Sequence, residues 1–124
     1  MVAKELGKTS LGMEANVAAT VSYALGPVTG LIMLLSEKEN KFVRFHAFQS
    51  IVVFGALIVL QMAIGMTISV FSMLNAGFII PLFVLAANLV ALGGLVLWIL
   101  LMFKAYQGEM FKLPVAGDIA EKNA

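Results

Sequence analysis

The sequence predicts an all-α integral membrane protein with three transmembrane helices, and three observations predict it. Hydrophobic residues make up 61% of the 124, charged residues only 12%, and mean hydropathy is +1.01. A soluble domain normally carries roughly 25% charged residues to build its polar shell. The charges are also confined to short stretches, which leaves residues 17–35 and 47–103 without any. Finally, turn residues divide the longer uncharged run into two pieces.

A helix needs about 20 apolar residues to cross a hydrocarbon core about 30 Å thick. The 19 uncharged residues of 17–35 supply one span. The 57 of 47–103 exceed one helix and fall short of three with connections. Two spans fit, at 48–72 and 80–103, joined around Ser72-Met-Leu-Asn-Ala-Gly77, where Asn75 and Gly77 favour a turn. Pro81 suits the first turn of the third span, where its missing N–H costs nothing. Pro27 inside the first span predicts a kink that frees the carbonyl of Tyr23.

The chain reads as one transmembrane domain, 1–124, with a retained N-terminal tail (1–15) and an amphipathic C-terminal tail (104–124). Residues 1–16 mix both signs of charge, unlike a secretory signal. Either a turn around Leu11-Gly-Met-Glu-Ala15 lies at the interface or this tail is plainly disordered. Three spans put the termini on opposite sides. Lys38, Lys41, Arg44, Lys104, Lys112 and Lys122 would then face Lys4 and Lys8 across the membrane. The positive-inside rule places the 36–46 loop and the C-terminus in the cytoplasm and the N-terminus outside.

At about 1.5 Å rise per residue, Gly26, Gly55 and Gly94 fall at one depth from the cytoplasmic end. With Gly30, a small-xxx-small partner of Gly26, they predict a close-packed waist. Thr20, Gln61 and Asn88 form a deeper polar layer. An unpaired amide in hydrocarbon is costly, so Gln61 and Asn88 are expected to bond to each other. None of the three is ionisable, as proton relays and ion pathways usually require.

The segment Ser36–Ser50 holds five charges and the only histidine. His46 and Ser50 share a helix face, yet no acid is placed to orient the imidazole and no oxyanion hole is evident. One histidine and two loop glutamates lack metal-ligand spacing. The chain has no cysteine, and a net charge of +1 gives no footprint for nucleic acid. The expectation is no enzyme, no metal and no cofactor. The candidate site is instead a docking or interface cluster: Glu37, Asn40, Arg44, Phe45, His46, Gln49 and Ser50. Arg44 and His46 would either mark the interface, with Arg44 reaching lipid phosphate, or bond the tail, whose Tyr106, Gln107, Glu109 and Asp118 would roof them from the same side.

Several of these residues carry a resemblance. Tyr23…Gly26…Gly30, Glu37-Lys-Glu-Asn-Lys-Phe-Val-Arg-Phe-His-Ala-Phe-Gln-Ser50 and Ala105-Tyr-Gln-Gly-Glu…Lys112-Leu-Pro-Val-Ala-Gly-Asp118 resemble a family of small, uncharacterised prokaryotic membrane proteins. That family is distantly similar to the twenty-kilodalton channel subunit of the chloroplast inner-envelope protein translocon. The likeness runs from about Thr9 to Glu121 and implies a multi-pass protein of a prokaryotic plasma membrane. It also implies a link to protein translocation, although the plastid relative is drawn with four helices and this sequence supports three. The leading expectation is therefore a non-enzymatic protein acting in the bilayer through homo-oligomers or a larger complex. The alternative is a small-solute transporter or channel lined by Gln61, Asn88 and the Tyr23 carbonyl.

Overall fold

The computed structural model describes residues 6–124, so the first five residues of the expected N-terminal tail lie outside it. Among the described residues the fold is all-helical. In chain order the helices are α1 (Ala15–Ala24), α2 (Pro27–Ser36), α3 (Lys41–Met73), α4 (Ile80–Tyr106) and α5 (Ala116–Asn123). A 3₁₀ turn, Gly77–Ile79, precedes α4. Two segments, Lys41–Met73 and Gly77–Tyr106, are long and apolar enough to cross a membrane.

The expected first span does not form one helix. It breaks at Leu25-Gly26 into α1 and α2, each of 10 residues and roughly 15 Å long. Gly26 has φ +64° and ψ −132°, which an L side chain rarely adopts and glycine tolerates. Pro27 then opens α2 at its first turn, where no N–H is needed. Instead of a kink, Gly-Pro makes a reversal. The Thr29 hydroxyl donates to the carbonyl of Ser22 at 3.2 Å and accepts from the N–H of Leu25 at 3.0 Å. The Ser50 hydroxyl donates to the carbonyl of Gly26 at 2.9 Å. These bonds pair polar backbone groups that the reversal would otherwise leave open.

The direction of each arm follows from its partners. Asn16 Nδ2 donates to the carbonyl of Tyr106, at the end of α4, while Trp98 Nε1 donates to that of Tyr23. Seven residues up α1 thus match eight down α4. On the return arm, a Cβ at Gly26 would touch Phe54, and one at Gly30 would press the carbonyl of Ala47 at 2.9 Å. Arg44 Nη1 donates to the carbonyls of Leu34 and Glu37 at 3.0 and 2.8 Å, closing the end of α2. The α1–α2 hairpin therefore rises beside α3 and α4 and returns to the end it came from. Its inner arm packs against both long helices, burying Ala15, Ala18, Ala19, Ser22 and Tyr23. The outer arm leaves Val28, Leu31, Ile32 and Leu35 exposed.

The N-terminal segment and the 36–46 loop lie at one end of the molecule. Ser10 bonds Glu37, and Asn40 Nδ2 donates to the carbonyls of Leu6 and Lys8 at 2.8 and 3.0 Å. This corrects the expectation that the N-terminal tail is separated from the loop by a membrane span. The physical reason is that Gly26-Pro27 reverses the chain after a helix of only 10 residues.

Other expectations fare differently. The turn before the third span forms, with Asn75 in the left-handed region at φ 55°. Pro81 sits in the first turn of α4. Helix α3 begins at Lys41 rather than 48, because Asn40 caps it by accepting from the N–H of Val43 at 3.1 Å. Of the expected waist, Gly26 and Gly30 meet α3 and Gly94 meets Leu57, but Gly55 faces open space. Depth arithmetic gave it the right level and no azimuth. The polar layer also dissolves. Gln61 Nε2 donates to the carbonyl of Ala87 at 3.0 Å instead of pairing with Asn88. Thr20 bonds the Asn16 carbonyl of its own short helix, near the other end of the bundle.

Candidate functional site: a closed polar cap

The expected docking cluster gathers at one end, but most of it faces inward. Glu37, Asn40, Phe45, His46, Gln49 and Ser50 are buried. Of its other members, Arg44 is half-buried, while Tyr106, Gln107, Glu109 and Asp118 are exposed. Thus the first six do not form an open docking face. Their polar atoms are consumed by backbone groups and by the Ser10 and Tyr23 hydroxyls, because a buried donor or acceptor without a partner costs about 1–3 kcal/mol.

Glu37 binds the N-terminal segment. Its carboxylate accepts the N–H of Ser10 at 2.9 Å from both oxygens and the Ser10 hydroxyl at 3.0 Å. It also accepts the N–H of Glu39 at 3.0 Å and of Asn40 at 2.9 Å. Burial pushes this carboxyl's pKa up, but the N–H groups of Ser10, Asn40 and Glu39 and the Ser10 hydroxyl outweigh it. The net shift is downward, which keeps the group ionised.

Deeper in the cap, three side chains from α1 and α3 hold the C-terminal strap, residues 107–115. The single hydrogen-bonded chain begins at Glu109, whose carbonyl lies 2.9 Å from His46 Nε2. A carbonyl only accepts, so Nε2 carries the proton and Nδ1 is left as acceptor. The Tyr23 hydroxyl, 2.6 Å away, donates to Nδ1. It accepts in turn from Gln49 Nε2 at 3.0 Å. Gln49 also donates to the carbonyl of Phe111 at 2.9 Å and accepts from the N–H of Leu113 at 3.0 Å. Residues 109, 111 and 113 alternate along an extended segment, and His46 and Gln49 stand one helical turn apart. Phe42, Phe45 and Tyr23 pack edge-on to the imidazole, with centroids at 4.7, 5.0 and 5.4 Å.

This network does not assemble a nucleophilic dyad, since the Ser50 hydroxyl is given to Gly26 and not to His46. The strap residues take local partners. Lys104 pairs with Glu109 at 3.3 Å, and Lys112 with Asp118 at 3.3 Å and Glu121 at 2.9 Å. Among the described residues, no group of three or more His, Asp or Glu side chains could hold a metal ion. The role of Gln49 as a two-way clamp on the strap was not readable, because backbone partners leave no mark in sequence.

Above the hairpin tip, an apolar groove of about 690 Å³ opens between α3 and α4. Leu25, Phe54, Met62, Val90, Leu95 and Trp98 line it, with Gln61 at its wall. The Tyr23 carbonyl that Pro27 was expected to free is taken by the Trp98 indole at 2.7 Å.

Comparison with known proteins gives one consistent answer. The profile of the Magnetosome magnetite crystal formation protein family matches residues 8–120. A UPF0132 membrane protein of Methanocaldococcus jannaschii is 44% identical over 117 residues, which cover 94% of each chain. A UPF0132 membrane protein of Archaeoglobus fulgidus is 44% identical over 110 residues, 89% of this chain and 95% of that one. A further M. jannaschii relative is 38% identical over 114 residues, covering 91% and 72%. No solved structure matches the chain. Nothing in these matches links it to the chloroplast translocon subunit that its motifs resemble.

Proposed function

The chain belongs to the Magnetosome magnetite crystal formation protein family, and from that premise we propose that it is a non-enzymatic membrane protein that works by self-assembly. In this reading α3 and α4 span the bilayer and the α1–α2 hairpin dips into one leaflet. Both tails and the 36–46 loop lie on the cytoplasmic side of a prokaryotic plasma membrane. Supporting that orientation, Lys8, Lys38, Lys41, Arg44, Lys104, Lys112 and Lys122 all belong to the cap end, while residues 47–103 carry no charge.

One observation carries the assembly reading. Near the cap α3 and α4 are packed on by the hairpin and α5, but beyond Phe54 and Trp98 they have mainly each other. There Gly65 and Gly93, like Gly55 just above the tip, have open space where a side chain would stand. Each glycine costs a helix roughly 1 kcal/mol relative to alanine. Close approach of another helix backbone offsets such a cost in a membrane. Mass measurement in nanodiscs should give a dimer or larger, dissociated by Gly65→Leu or Gly93→Leu. A strictly monomeric protein would overturn the reading.

A transport role retains one supporting observation, the groove beside Gln61; solute flux into vesicles abolished by Gln61→Leu would favour it over assembly. Association with a translocation complex rests on the motif resemblance, and crosslinks from exposed Lys38 or Gln107 to such a complex are its test.

A further inference from the structure

We infer that the protein is a one-leaflet wedge that favours membranes curved with the cap on the convex side. Helix α3 has 33 residues, so it runs about 50 Å and, tilted by roughly 25°, matches the 40–45 Å of a bilayer with its headgroup regions. The hairpin tip, Gly26, lies against Phe54, thirteen residues along α3 from Lys41 and thus about 20 Å from its start. After the headgroup zone is subtracted, the tip stops short of the bilayer midplane.

The cap-side leaflet therefore accommodates α1, α2, α3 and α4, and the far leaflet only α3 and α4. With helices roughly 10 Å across, two extra helices add about 160 Å² of cross-section to one leaflet. The hairpin tip and the exposed face of α2 fit this placement, since Leu25 at the tip and Val28, Leu31, Ile32 and Leu35 on α2 are all at least half exposed and would be solvated by acyl chains. The cap enlarges the same side further. The strap and α5 lie on α3 at the headgroup level, where exposed Tyr106, Met110, Val115 and Ile119 suit an interface. Excess area in one leaflet is relieved when that leaflet is convex. The inference rests on the one-sided insertion proposed above and not on self-assembly.

The test uses the fluorescently labelled full-length protein in giant phosphatidylcholine–phosphatidylglycerol vesicles, too dilute to associate, from which narrow membrane tubes are pulled. With the cap outside, the protein should be enriched on the tube by roughly two-fold or more per unit area over the vesicle. With the cap inside, it should be depleted. The variant Val28→Ala/Leu31→Ala/Ile32→Ala/Leu35→Ala trims only the exposed face of α2 and should lessen both effects. Equal density on tube and vesicle would overturn the inference. Enrichment in both orientations would overturn it too, because a wedge has a sign. Same-side labelling of residues 13 and 122, scored separately, tells a failed wedge from a failed topology.

Discussion

Replacing Glu37 by alanine tests how the N-terminal segment is held. The carboxylate accepts three backbone N–H groups and one hydroxyl. Bonds to a charged acceptor contribute about 1.5–3 kcal/mol each when buried. Ser10 and Glu39 are exposed residues whose N–H groups water can reach, whereas Asn40 is buried. Counting one full loss and two partial ones gives about 2–4 kcal/mol for Glu37→Ala. Glu37→Gln keeps the shape but turns an NH₂ toward a donor, so it should cost about 1–2 kcal/mol. SDS titration of the micelle-solubilised protein measures the loss of stability, and limited proteolysis should reveal earlier cleavage before Ala15. The same contact predicts a pH dependence. The folded pKa lies below the ordinary 4.5, so its contribution is present above about pH 4.5 and is lost as pH falls through the folded value. A change under about 0.5 kcal/mol in Glu37→Ala, or no loosening of the N-terminal segment on acidification, would mean that Glu37 does not hold that segment.

Further predictions concern topology, strap and packing. The chain has no cysteine, so Met13→Cys, Ala76→Cys and Lys122→Cys can each be labelled alone in sealed vesicles. Residues 13 and 122 should react from the same side and 76 from the other; labelling 13 from the side of 76 would restore three spans. Gln49→Leu removes a two-way clamp and should expose residues 107–115 to protease while α3 and α4 remain helical by circular dichroism. Gly30→Val forces methyl groups onto the Ala47 carbonyl and Ser50 and should destabilise by about 1–3 kcal/mol in the same SDS titration. A Gln61→Leu/Asn88→Leu double-mutant cycle should show coupling below about 0.5 kcal/mol, because Gln61 bonds backbone and not Asn88.

Much of this fold was legible because apolar length and turn chemistry are local. Asn75, Pro81 and the 57-residue uncharged run determine two helices long and apolar enough to span, from nearby residues alone. The hairpin was not legible for the converse reason. Nineteen uncharged residues pass the length test for a span, and a Gly-Pro pair reads equally as a kink or a reversal. What selects reversal is a set of distant partners: Ser50 for the Gly26 carbonyl and Trp98 for that of Tyr23. Depth arithmetic survived in part. Loop 37–40 joins antiparallel helices in either topology, so Gly26 was correctly matched to the level of residue 54. Thr20 was misplaced because α1 runs the other way. Within the cap, the expectation that the tail roofs His46 matches the Glu109 contact, while the inward burial of Glu37, His46 and Gln49 depends on backbone atoms that no residue pattern advertises.

The long sequence separations in the cap constrain how the protein is made. Asn16 waits for Tyr106, 90 residues later, Tyr23 for Trp98 after 75, and His46 for Glu109 after 63. The hairpin leaves the ribosome early, yet the groups that seat it are translated near the opposite end of the chain. Until those residues are made, Asn16 and the Tyr23 carbonyl at the reversal lack the partners they have in the finished fold. Chains truncated after Phe103 would keep both spanning segments and lack the clasp that fixes the hairpin. Closure of the strap on His46 and Gln49 is therefore the last step by which the fold is completed in order of synthesis.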